Sequence, residues 1–416
     1  MAIMSRFYKL QRTGSIYITV LASSMIVMTL GLGSLLAVRV QRRSTQITCD
    51  YVEACNLSRS AIELGLFYVS NDPNWRYTWS NGVWISNQPL GRGSYSLEGI
   101  DPQDDDLANS KYNPLLLRGT GIRGTTRHKS EVTLAPVIKP LEALNTCLHA
   151  SGRLKVNGGK IITAFGAPVS TNGQLDNDGT IDGDADANSI DDIGTITGNL
   201  TLPAASKQMP DPNVISDYIA RATVIPFTGD IEKQVLTASY NPWGPVNPDG
   251  IYFIDTADHD LDIKYTRIHG TLIVRLGTKK LTLDKSIFMK NYRSDCPVLI
   301  VDGEAEIKYE SRDYGLSEVS TSTNYNPFGA PYEGQWDSDI QDEYPNEIQG
   351  LVHVRGFLKL KDTALIKGAV ICEGSVECDE KNTIIHDSGL YACPPEGYTF
   401  VDHMQISPGS WKQVVE

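Results

Sequence analysis

The sequence predicts a mainly β chain with one long N-terminal helix. The helix leads into a small antiparallel β head, and a parallel β-helix, or solenoid, follows. Three observations carry this. Residues Ser15 to Val38 hold no charge; a helical period continues past them without proline as far as Val69; and short apolar segments recur at a fixed spacing near the C-terminus.

Composition bounds the rest. The chain has 416 residues, and 37 Lys+Arg against 50 Asp+Glu leave a formal charge of −13. That balance argues against nucleic acid or an anionic membrane as partner of the body of the protein, because phosphate binding needs clustered cations. Hydrophobic content of 41% with 21% charged residues excludes wholesale disorder and a multi-span membrane protein.

The first element is the helix, expected over residues 15–70. Its uncharged run of 24 residues spans about 36 Å as a helix, enough to cross a bilayer's hydrocarbon core. Arg6, Lys9 and Arg12 precede it and Arg39, Arg42 and Arg43 follow, so the positive-inside count gives no orientation. A cleaved secretory signal is the competing reading, but its apolar core is shorter, and Leu35 with Ala37 makes a poor cleavage site. Beyond the run, Val52, Leu57, Ala61, Ile62, Leu64, Phe67 and Tyr68 continue a helical period until Asn71-Asp72-Pro73 stops it.

These residues resemble a family. A short basic leader ending in Gly14, then an uncharged helix that turns amphipathic and enters a β-rich head, is similar to type IV pilin and pseudopilin precursors. The resemblance implies cleavage of leader 1–14 after Gly14 by a prepilin peptidase, with Ser15 as the new N-terminus. It also implies an inner-membrane anchor and packing against other pilin-like subunits through the helix. Ser15 replaces the usual Phe, and Thr19 stands where major pilins carry Glu, which brings the chain closer to minor, tip-type subunits. Without that carboxylate, association would rest on close helix packing, for which Gly33 and Ala37 supply a small-xxx-small surface; the same pair also arises by chance in apolar helices.

Residues 71–140 read as the antiparallel head. Trp75-Arg76-Tyr77-Thr78-Trp79 and Val83-Trp84-Ile85 alternate around Asn81-Gly82, a hairpin signal. Tyr95–Leu97, Leu115–Leu117 and Arg127–Leu134 add strands. Residues Gly119 to Gly124 satisfy G-x-G-x-x-G, but a Thr-rich strand follows where a nucleotide site needs a helix, so turns are the expectation.

From 141 to 416 the expectation is the solenoid, with inserted loops at 203–250 and 310–349 and a helix at Asn213–Ala222. Sliding Leu351–Gly368 by 18 residues places Val352 on Val370, Gly356 on Gly374, Leu358 on Val376, Leu360 on Cys378 and Ile366 on Ile384. Eighteen residues make one turn of a three-faced coil. This block resembles bactofilin-like and other right-handed β-helices; a left-handed hexapeptide helix has the same period.

Candidate site chemistry is confined to acidic clusters. Asp182, Asp184, Asp186 and Asn188 resemble the first half of a calcium loop, although Ala187 replaces the needed Gly and no bidentate Glu follows; turn corners are the other reading. Glu333, Asp337, Asp339, Asp342, Glu343 and Glu347 lie in the second inserted loop, as a solvated stretch or a metal or partner site. There is no G-x-S-x-G elbow, no phosphate loop and no H-x-x-x-H pair, so no catalytic residue and no cofactor beyond possible calcium is expected. Seven cysteines leave at least one unpaired; Cys372 and Cys378 read as buried thiols, and Cys378–Cys393 is the least strained disulfide.

The functional expectation is a non-enzymatic cell-envelope subunit of minor-pilin type, single-pass, with its C-terminal part outside the cytoplasm. It partners the inner membrane, other pilin-like subunits and a prepilin peptidase, and no nucleic acid. The alternative is a membrane-anchored β-helix that binds or processes surface polysaccharide.

Overall fold

The computed structural model describes residues 12–309 and 314–414, with side chains from Ile16 onward. The described residues divide into two compact units, 12–138 with 401–414 and 139–400.

The first unit is built on α1 (Arg12–Asn71), one unbroken helix of 60 residues. Inside its apolar half, the hydroxyls of Ser23, Ser24, Thr29 and Ser34 donate back to carbonyls three or four residues earlier, so these four present no unpaired donor. Four antiparallel strands follow: β1 (Gly82–Leu90), β2 (Gly93–Ile100), β3 (Leu115–Arg123) and β4 (Thr126–Pro140), paired in that order. Residues Thr399–Ile406 and Lys412–Val414 then pair with β4. The end of the chain thus belongs to this sheet, which corrects the expectation of a solenoid running to Glu416.

The expected hairpin around Asn81-Gly82 is also corrected. Trp75–Thr78 is a helical turn and the hairpin closes at Gly91-Arg92. The alternating pattern lost to local polar chemistry: Asp72 accepts from the Asn74 N–H and the Thr78 hydroxyl, winding the segment, while the buried Arg76 guanidinium donates to the carbonyls of Leu107 and Asn113. Trp79 then stacks between Tyr68 and Trp84, at 5.1 and 5.2 Å.

The second unit is a parallel coil with three faces. In the slide block the register is the expected one, Val352 opposite Val370, Leu358 opposite Val376, Leu360 opposite Cys378 and Ile366 opposite Ile384. Stacked aliphatic columns fill the interior; Leu272, Leu299, Val352, Val370 and Leu148 form one of them, each fully buried. Burying such a side chain contributes about 1.5–3 kcal/mol.

The winding order departs from the chain order. Strand Leu148–Ala150 stacks on the late strand Leu365–Cys372, and coils then run away from that junction to Leu200–Thr201. The chain crosses back through residues 203–222 to the opposite end and winds from Thr223 towards the junction again. The first expected loop, 203–250, is therefore two things. Its start is a return strap whose helix Val214–Arg221 lays Val214, Ile215 and Tyr218 on Phe253, Ile273, Ile300 and Ile371, and its remainder holds the strands of a terminal coil. Asn172 fastens the strap by exchanging two 2.7 Å hydrogen bonds with the Lys207 backbone. Within the second loop, Leu316, Tyr325, Ala330 and Tyr344 close over Val235 and Phe288.

Candidate functional site

The strongest candidate is the surface of α1, which meets two environments along one axis. From Ile16 to Cys49 its side chains are exposed, and the most apolar 18-residue window has mean hydropathy 2.0 with none of it buried. By length and composition this is a candidate membrane span. Gly33 and Ala37 lie in this half; both are exposed, and a Cβ on Gly33 would meet nothing within 4 Å. Gly14 and Ser15 fall in the first turn of α1, and residues 1–11 of the expected leader lie outside the described residues.

From Ala54 onward the same helix packs on its sheet. Ala54, Leu57, Ser58, Ala61, Ile62, Gly65 and Val69 are buried at helical spacing. Two glycines make this approach possible: a Cβ at Gly119 would collide with the Ser58 carbonyl, and one at Gly121 with the Ala54 carbonyl. The G-x-G run therefore serves helix–strand contact, with the turn at Gly124-Thr125. The Ser58 and Ser130 hydroxyls share a buried hydrogen bond of 2.9 Å across the contact. Arg123 reaches Glu53 at 2.7 Å and Asp50 at 3.5 Å, tying strand to helix where packing begins. His128 packs edge-on to Tyr51 at 5.5 Å, and burial, then Arg59, lowers its pKa from the ordinary value.

The predicted packing face was partly wrong in detail. Val52 and Phe67 stay exposed, while Ala54, Ser58 and Gly65 are buried in their place. Close approach selects for small side chains, which a hydrophobic period does not register.

On the coil, the four calcium-loop residues do not converge. Asp182 accepts from the Thr197 hydroxyl at 2.9 Å, Asp184 from the Asn199 N–H at 2.7 Å and Asp186 from Lys207 Nζ at 3.0 Å; Asn188 is exposed. The corner at Gly183, with φ +144°, turns the chain between two strands, so these side chains serve different faces. Asp176, Asp178 and Asp192 do converge, but Arg153 and Lys155 already pair with Asp176, and Lys155 with Asp178.

In the second loop, Asn326 donates to Asp337 and Asp342, and buried Glu347 pairs with Lys367 at 2.8 Å. The expected Cys378–Cys393 disulfide is corrected as well. Cys378 lies in an interior column between Leu360 and Val156, where burial pushes its thiol up to about 12, and Cys393 is an exposed free thiol.

One feature of the coil escaped sequence reading. The register stacks Glu306, Lys359, Glu377, Lys155 and Asp176 in one column, so charge alternates strand by strand. Glu306 accepts from Lys280 at 2.8 Å and Lys361 at 2.9 Å; burial opposes its charge, but the two ammoniums outweigh it and hold the carboxyl below the usual range. Each acid of this column faces a cation, whereas glycosidase chemistry needs two acids flanking a substrate.

No family model matches the chain, and no curated protein matches it. Among solved structures, the competence-associated pilin ComZ from Thermus thermophilus is 10% identical over 88% of this chain and 98% of that chain, with a TM-score of 0.29. An ice-binding protein from the Antarctic ascomycete Antarctomyces psychrotrophicus is 14% identical over 60% of this chain and 99% of that chain, with a TM-score of 0.27. The DUF3494 domain of a Shewanella frigidimarina ice-binding protein is 13% identical over 60% of this chain and 98% of that chain, again with a TM-score of 0.27. Overlap at this level carries no functional argument; that comes from the chain's own helix and coil.

Proposed function

We propose that the chain is a pilin-like structural subunit of the cell envelope, of minor-pilin type and without enzymatic activity. The observation that carries this reading is α1 itself, one rod whose first half offers an exposed apolar surface and whose second half is fixed to a β sheet. In this reading residues 15–38 sit in the inner membrane, the coil lies outside the cytoplasm, and a prepilin peptidase removes the leader after Gly14. Thr19 brings no charge into the lipid, so helices of neighbouring subunits associate by close packing in which Gly33 and Ala37 admit the partner backbone.

N-terminal sequencing and intact mass of the protein from the membrane fraction test it. The expected mature N-terminus is Ser15, N-methylated; an intact Met1 removes the pilin assignment.

A second reading, an anchored coil that binds surface polysaccharide, draws on one observation. Phe328 and Trp336 stand 77% and 56% exposed and edge-to-face at 5.1 Å on the second loop. A chain retained in the membrane with Met1 intact favours it.

A further inference from the structure

Between Ser15 and Cys49 the chain has no acidic residue, and its only charges are Arg39, Arg42 and Arg43. All three are exposed on continuous helix, directly after the uncharged run ends at Val38. At 3.6 residues per turn they fall within an arc of about 100°, spread over about 6 Å of the axis. Among the described residues none of them is in an ion pair, and the first acids beyond them, Asp50 and Glu53, are engaged by Arg123.

This leaves three uncompensated guanidiniums on one side of a helix. Resting on the reading of residues 15–38 as a membrane span, they stand in the first turns outside the hydrocarbon, at the depth of the lipid phosphates. We propose that Arg39, Arg42 and Arg43 form a binding site for anionic phospholipid headgroups, which sets the depth and rotation of the helix in the bilayer. Guanidinium is always charged and matches phosphate oxygens with paired N–H donors. The site is a convex helix flank with no enclosing wall, so it favours phosphates held at high local density in a membrane surface over a free ion. Clustering on one side also gives the helix a preferred rotation, which a symmetric ring of charge would not.

The test uses the full chain reconstituted in phosphatidylcholine vesicles containing spin-labelled phosphatidylglycerol or spin-labelled phosphatidylcholine. The readout is the motionally restricted fraction of each lipid. The expected preference for phosphatidylglycerol is about five-fold or more, the contribution of a single basic residue at an anionic surface. In the Arg39→Gln, Arg42→Gln, Arg43→Gln chain it falls about five-fold or more, to whatever Arg6, Lys9 and Arg12 at the other end of the span contribute, while flotation with the vesicles is unchanged. High salt weakens it.

A wild-type chain that floats but shows no preference overturns the proposal, as does a triple variant whose preference is undiminished. Loss of the preference in millimolar inorganic phosphate at constant ionic strength also overturns it, since the site would then take the free ion. A wild-type chain that does not float removes the membrane-span reading, and the headgroup site with it.

Discussion

The two halves of α1 are made from one helix and differ in almost everything else. Residues 16–49 bury essentially nothing, and 16–38 present Ile, Leu, Val and Met in every direction, whereas residues 54–69 bury a stripe of mostly small side chains against β3. Up to Val38 the first half is apolar all round, as a surrounding of lipid or like helices demands; the second is one-sided, as a sheet demands. The difference teaches that hydrophobicity alone does not locate the packed part. The greasier half is the one left uncovered, and the intimate contact is made by Ala54, Ser58 and two glycines of the facing strand.

The largest break in this comparison comes from Gly121→Val. Its branched side chain meets the Ala54 carbonyl, which cannot yield without moving the helix, so a loss of about 3 kcal/mol or more is expected in the stability of the first unit. Gly33→Val, where a Cβ meets nothing, leaves stability unchanged within about 0.5 kcal/mol. Denaturant midpoints in detergent, followed by fluorescence of the tryptophans around Trp84, compare the two. Equal losses would erase the distinction between the halves.

A smaller effect sharpens it. His128 lies against the packed half and its pKa is lowered by burial, with Arg59 adding to this. It therefore holds a proton less readily when folded than in the unfolded chain, which titrates at the ordinary histidine value of 6.5. Unfolding binds the extra proton, so stability falls as pH drops below that value and flattens below the lowered folded pKa. His128→Phe removes this share of the acid sensitivity. The check is the difference in denaturation midpoint between pH about 7.5 and about 5.5, which narrows in the variant.

What was legible in the sequence follows from how each feature is encoded. The coil period could be read because interior columns repeat aliphatic residues at positions such as Val352 and Val370. The helix could be read because lipid-type and helical periods are both local signals. The stacking of Leu148 on Val370 could not, since it joins segments more than 200 residues apart and no local pattern marks it. The return strap read only as a Pro-rich loop with a helix, because what makes it structural is the surface beneath it. The charge column of Glu306, Lys359 and Glu377 becomes visible only once register is known. At the candidate sites, the calcium-like spacing of Asp182 to Asn188 misled, because Asp182 and Asp184 take donors from the neighbouring coil and Asp186 takes one from Lys207 of the return strap.

The central claim is that the greasy and packed halves form one uninterrupted rod. Amide hydrogen exchange of the full chain in lipid vesicles tests this most directly. The account predicts slow exchange running without a gap from the span through Arg39–Arg43 to Val69. Fast exchange confined to residues 39–49, between two protected segments, would contradict it by dividing the rod into an anchor and a separate head.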